Sequence, residues 1–372
     1  MANTLVIETL GLTYQGNYGY QEYLFNILDY FYENRDMLKF DRIIIACRED
    51  NILVFQKYSN KFEIKSFRCS NIIIKYWILN NLCASLFLNK HDVIFFTNNY
   101  SSFFKRCIHI LVIHDLLYLR KKYMPSILFR LQRRLFIPIS VKLADKIIAI
   151  SQWVETDIKE HFNIKDQSKT IAIYNYFNFK KYELGFVDSE IISLVGQKKF
   201  FLVVSSSSLH KNVITVFKAF LAFCNNNNEA NLVYVGNIFG NLKCFYEQLH
   251  SDIKSKIMIV NTISNDSLGY LYKKTCGYIS ASLFEGLGMP IVEAMYFNAP
   301  VIVSDIAVIR EITRNYALYF PPTDHLALCQ LMEKVYSEGE KYKTQSLAID
   351  LFSEENTVKL YIKEINNFYT SK

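Results

Sequence analysis

Two glutamates separated by seven residues bracket a glycine-rich loop in Ser282-Leu-Phe-Glu285-Gly286-Leu287-Gly288-Met-Pro290-Ile-Val-Glu293. Carboxylates so placed accept hydrogen bonds from sugar hydroxyls, and the glycines let backbone approach a ligand closely. Pro290 falls in the first turn of a helix expected over Pro290–Tyr296, where its missing N–H costs nothing. The free N–H groups and positive dipole end of that helix then face the loop mouth, which suits a diphosphate. A helix-capping loop with surface acids would read the same way. A second candidate is Ser205-Ser206-Ser-Ser-Leu-His210-Lys211-Asn212. Lys211 is a point cation able to neutralise a diphosphate leaving group, although in isolation a surface lysine in a loop is the favoured reading. A third is Ile113-His114-Asp115, a histidine at the end of an apolar run. A lone histidine is more often structural than catalytic. Weaker signals are Tyr14-Gln-Gly16-Asn17-Tyr-Gly19-Tyr20 near the amino terminus, and Val235-Gly236-Asn237.

Strands and helices must alternate to place these residues. Apolar, strand-like runs lie at Thr4–Leu10, Arg42–Cys47, Asp92–Thr97, Ile108–His114 and Lys146–Ser151, and again at Phe200–Ser205, Leu232–Gly236, Gly277–Ala281 and Pro300–Ser304. Runs apolar at every position indicate parallel strands buried on both faces. Helical spacing fills the intervals, over Tyr20–Asn34 and from about Val213. Ser151 has the type and place of an N-cap, with Glu155 in the first turns. Two such series predict an α/β chain of two Rossmann-like, doubly wound domains facing a central cleft. The expected domains are 1–178 and 179–352, which the family resemblance given below implies to bind the acceptor and a nucleotide-sugar donor respectively; the helix in 353–372 would pack back on the first. In such sheets ligands bind beyond the carboxyl ends of the strands.

Composition narrows the function classes. The chain has 372 residues, 51% hydrophobic and 15% aromatic, which is ample for two cores and excludes disorder. Its eight cysteines are scattered without a Cys-x-x-Cys pair, which argues against both a zinc site and a disulfide framework. The start reads as a strand rather than a signal peptide, and no apolar run is long enough to cross a membrane. The expected location is cytoplasmic. No Asp-x-Asp occurs, so no metal and no resident cofactor are expected; Lys211 and a helix N-terminus would neutralise the diphosphate instead. No nucleic-acid partner is indicated. The net charge of +7 is concentrated in residues 118–146, where Arg120, Lys121, Lys122, Arg130, Arg133 and Arg134 alternate with large apolar residues. That stretch reads either as a surface for anionic lipid or as a solvated helix whose long stems cover the core.

The stretch from about Val260 to Asp324 resembles the retaining glycosyltransferases of GT-B fold, family 4 or "group 1". The match includes Asn298-Ala-Pro300-Val-Ile-Val-Ser304-Asp305, Arg310-Glu311-Ile312 and Tyr316-Ala-Leu-Tyr-Phe-Pro321-Pro322-Thr-Asp324. Ala144-Asp145-Lys-Ile-Ile-Ala149-Ile-Ser151 carries the resemblance into the first half. It implies that Glu285 lies near the donor sugar hydroxyls and Glu293 on the ribose. The backbone of Gly286, Leu287 and Gly288 would meet the sugar or phosphates, and Lys211 the phosphates. His114 would lie beside the transferred sugar, Gly16 and Asn17 near the donor phosphate or acceptor, and Gly236 by the base. Members often have Phe at the position of Leu287 and Gly at that of Asn298. Many also have Gly-Arg near Ser205-Ser206; that Arg is absent, leaving Ser206 and its neighbouring hydroxyls, or His210, to bind phosphate. The resemblance implies transfer of a hexosyl group, mannose-type favoured, from a GDP-, UDP- or dTDP-sugar. The acceptor would be a polyprenyl-diphosphate-linked glycan in O-antigen or capsule synthesis, at the inner face of the plasma membrane. Two alternatives stay open: a nucleotide-sugar epimerase on the same fold, and a non-catalytic partner that binds glycan or another transferase. A dehydrogenase does not fit, because no Gly-x-Gly-x-x-Gly follows a first strand.

Overall fold

The structure is a computed structural model and describes residues 3–12, 18–68, 89–124, 126–182, 185–196, 198–226, 229–343 and 346–369. The chain forms two compact units, Met1–Phe177 with Phe352–Lys372, and Asn178–Leu351.

Among the described residues, the first unit holds seven parallel strands: β1 Thr4–Glu8, β2 Arg42–Arg48, β3 Glu63–Phe67, β4 Val93–Phe96, β5 Ile108–Ile113, β6 Lys146–Ala149 and β7 Thr170–Ala172. Their order is β3-β2-β1-β4-β5-β6-β7. Ile43, Ile44, Ile45, Ala46 and Cys47 are all buried, which only a sheet covered on both faces allows. β1 stops at Glu8, two residues short of expectation, because Leu10 N turns back to donate to Glu8 Oε1 at 2.6 Å. Ser151 caps the helix Gln152–Phe162 as expected, accepting from Val154 N at 3.2 Å. The helix Val358–Asn366 packs into this unit, with Tyr361 against Tyr23 and Phe95 at ring separations of 6.2 and 5.9 Å.

The second unit has six parallel strands: β8 Phe200–Val204, β9 Asn231–Val235, β10 Ile257–Val260, β11 Gly277–Ser280, β12 Val301–Ser304 and β13 Leu318–Phe320. Their order is β10-β9-β8-β11-β12-β13. Phe217, Phe220 and Phe223 of the helix Val213–Asn225 and Met332 and Val335 of the helix His325–Glu338 fill its core.

In both sheets the strand order reverses once, between β1 and β4 and between β8 and β11. Crossovers leave opposite faces there, so the carboxyl ends of those two strands flank an open crevice. Among the described residues, no helix is long and apolar enough to cross a membrane.

Candidate active site

The loops after β8 and β11 carry the two strongest sequence signals, and three bonds stitch them together. Asn212 adopts the left-handed conformation, φ 52°, which its short polar side chain tolerates. That turn aims its amide nitrogen at the carbonyls of Ala281 (3.2 Å) and Pro322 (2.7 Å). Leu283 N donates to His210 O at 2.7 Å. Lys211, held between these ties, places Nζ 2.6 Å from Glu285 Oε1. Ser282 Oγ donates to the same oxygen at 2.7 Å, and Ser304 Oγ supports the Ser282 carbonyl at 2.5 Å. Burial alone would raise the Glu285 pKa. The Lys211 charge and the hydrogen bonds from Lys211 and Ser282 outweigh it, and hold the carboxyl below its ordinary range.

Past Glu285 the chain enters the helix Met289–Tyr296 through Gly288, whose φ of 100° suits glycine. Pro290 sits in the first turn, as expected. Leu287 is buried, so its side chain belongs to the core and only its backbone can meet a ligand. Glu293 faces inward, and Tyr272 donates to its Oε2 at 2.8 Å. Burial, then the Glu293 charge, push the Tyr272 phenol well above its ordinary range, so it remains a donor. Glu285 Oε1 is thus engaged by Lys211 and Ser282, and Glu293 Oε2 by Tyr272.

The serine loop is bonded partly to itself and partly to the segment that follows β9. Ser206 Oγ donates to Ser208 Oγ at 3.0 Å, while Ser207 Oγ bonds Asn237 O at 2.5 Å and accepts from Phe239 N at 3.2 Å. Gly236, with φ of 145°, lies where a Cβ would stand 2.0 Å from the Ser205 carbonyl oxygen. It lets the ends of β8 and β9 close on each other.

His114 belongs to the first unit and follows β5. Its backbone N donates to Asn99 Oδ1 at 2.7 Å. Its Nε2 lies 2.9 Å from the Thr97 carbonyl, which only accepts, so Nε2 carries the proton and Nδ1 is the acceptor. Tyr20 and Tyr23 meet the ring edge-on at 5.7 and 4.7 Å, and burial lowers its pKa. The imidazole is therefore neutral and held. The neighbouring Asp115 accepts from Leu117 N through its Oδ1 at 2.9 Å. Gly16 and Asn17 lie outside the described residues. Among the described residues, no group of three His, Cys, Asp or Glu could hold a metal.

Sequence reasoning missed Tyr272, Asn212 and the Tyr20–Tyr23–Thr97 surround of His114. Asn212 left a faint signal, an Asn just before a helix. Tyr272 left none, since it lies 21 residues from Glu293 on another helix.

The profile of a family described as "Glycosyl transferases group 1" matches residues 187–348. The chain is 30% identical over 216 residues to the O-antigen chain mannosyltransferase RfbU of Salmonella typhimurium, covering 58% of this chain and 57% of that one. It is 25% identical over 222 residues to the serotype-specific mannosyltransferase WbdA of Escherichia coli, covering 56% of this chain and 27% of that one. The chain thus spans about half the length of the first relative and about a quarter of the second. Among solved structures, a glycosyltransferase from Rickettsia africae superimposes with a TM-score of 0.71 at 16% identity, covering 100% of both chains. Anabaena Alr3699/HepE, solved with UDP and glucose, gives 0.70 at 18% identity, again over 100% of both. Residues 187–348 thus match the glycosyl transferases group 1, and the two all-parallel sheets of this order have the GT-B fold of those solved structures.

Proposed function

We propose that this protein is a retaining, metal-independent glycosyltransferase. It moves a hexosyl group of the mannose type from a nucleotide sugar to a polyprenyl-diphosphate-linked glycan in bacterial O-antigen synthesis, in the cytoplasm at the inner membrane face. The observation that carries the reading is the Lys211 ammonium, backed by Glu285, at the strand-order reversal between β8 and β11. A diphosphate there meets a fixed cation beside the N-terminus of the helix Met289–Tyr296, where negative charge develops as the anomeric C–O bond breaks. The acceptor oxygen attacks from the same face and passes its proton to the leaving phosphate. The mannosyltransferase names of RfbU and WbdA support the sugar and the pathway.

The test is acceptor-dependent nucleotide release from GDP-, UDP- and dTDP-sugars, with the product anomer read by NMR and EDTA present throughout. Release from GDP-mannose with retention is expected. Inversion, dependence on metal, or a free sugar product formed without acceptor would each overturn the corresponding part.

A further inference from the structure

The helix Ile127–Leu143 is anchored through one half and presents an apolar stripe to solvent with the other. Ile137, Ser140 and Val141 are buried, and Ser101 N donates to Ser140 Oγ at 2.9 Å. Ile127, Leu131 and Leu135, four residues apart, share one face, with Leu128 beside them. These four side chains are between 55% and 80% exposed. A helix normally turns such a stripe toward the core. Here the half-buried Arg130 and Arg133 lie on the opposite side, toward the protein. Arg134 and Lys142 are exposed on the same arc as the leucines.

Charge identifies the occupant. Residues 116–144 contain seven lysines and arginines and no acidic residue, which equals the formal net charge of +7 for the whole chain. The rest of the molecule is balanced. Lys121 and Lys122, just before the helix, are exposed too. A second copy placed on this face would set one cationic stretch against another. A polyanion such as nucleic acid would satisfy the charge but leave the leucines in water. A surface with apolar depth and negative head groups satisfies both.

We infer that the exposed arc of the helix Ile127–Leu143 docks onto an anionic lipid bilayer, with Ile127, Leu128, Leu131 and Leu135 entering the acyl boundary and Lys121, Lys122, Arg134 and Lys142 meeting the head groups. This deepens the lipid-linked-acceptor reading by naming the surface that would hold the enzyme at its acceptor.

The experiment is co-sedimentation with phosphatidylcholine vesicles, with and without about one-third phosphatidylglycerol. No donor or acceptor is added, so the result is independent of the transferase reading. The wild type is expected to sediment with anionic vesicles only, and about 0.5 M NaCl is expected to weaken binding severalfold. The variant Leu131→Glu/Leu135→Glu is expected to lose at least tenfold in partition. Both positions are exposed, so its melting temperature and its nucleotide release with a water-soluble acceptor should match wild type. Arg134→Glu/Lys142→Glu should show a similar loss. Equal binding to neutral vesicles, or unchanged partition of the first variant, overturns the proposal. So does a wild-type dimer in sedimentation velocity that the first variant abolishes, because a second copy would then cover the stripe.

Discussion

Lys211 Nζ stands 2.6 Å from Glu285 Oε1 although 74 residues separate them. Both side chains are mostly sequestered, 23% and 10% exposed, so each charge depends on the other. A donor diphosphate would compete with Glu285 for the same ammonium. The pair therefore fixes the position of the ammonium.

Removing both partners should cost less than the sum of removing each alone. Lys211→Ala leaves a nearly buried carboxylate with Ser282 as a remaining donor, and should lose roughly 3 kcal/mol of stability. The double variant Lys211→Ala/Glu285→Gln should lose clearly less than the losses of Lys211→Ala and Glu285→Gln combined. Urea unfolding of all four proteins checks this, and additive losses would refute the coupling. Nucleotide release by Lys211→Ala should fall about 100-fold, the usual cost of losing one charge-stabilising group.

The acid limb of stability should contain Glu285. Its folded pKa lies below the ordinary 4.5, so its contribution is complete above about that pH. The contribution is lost as pH falls through the depressed folded value. Glu285→Gln should lack this component in melting temperatures measured from pH 5 downward. An unchanged limb would contradict the assignment.

His109 should act at higher pH. It lies in β5 with 0% exposure, and burial pushes its pKa down to about 4 from 6.5. Because the folded value is depressed, its stabilising contribution is present above about pH 6.5 and is lost as pH falls toward 4. The full loss is about 3 kcal/mol. His109→Leu should flatten the stability profile over that window; a variant that keeps the wild-type slope would exclude His109 as its source.

Tyr272→Phe should weaken nucleotide binding rather than chemistry. The phenol holds Glu293, the residue assigned to the ribose. Losing that bond should raise KM about tenfold and leave kcat within about twofold. A fall confined to kcat would place Glu293 at the reacting atoms instead.

Gly236→Ala should be among the most destabilising single changes at the site. Its Cβ would stand 2.0 Å from backbone at Ser205, at φ 145°. A loss above about 3 kcal/mol is expected. Gly288→Ala, at φ 100° but with its nearest neighbour the flexible tip of Ile291 at 3.2 Å, should lose less. Melting temperatures that reverse this order would refute the steric account.

Much of the architecture is local and therefore legible in the residues. Uniformly apolar runs mark buried parallel strands because both sheet faces are covered. Ser151 and Pro290 announce helix starts because capping and proline geometry act within one turn. The glycine loop and Lys211 were equally readable as anion-binding groups, because the chemistry lies in the residue types. What those groups touch was not readable. Lys211 meets Glu285 only because strand order places β8 beside β11, and Tyr272 meets Glu293 only because two helices pack on that sheet. The mixture of basic and apolar residues in 118–146 was likewise legible, but not which of those side chains turn inward. Ser140 and Ser101 settle that across 39 residues, and leave the leucine stripe in solvent. Residue type and short-range spacing determine what each segment of this protein can do. Tertiary packing decided which of those capacities are paired off, and which stay exposed.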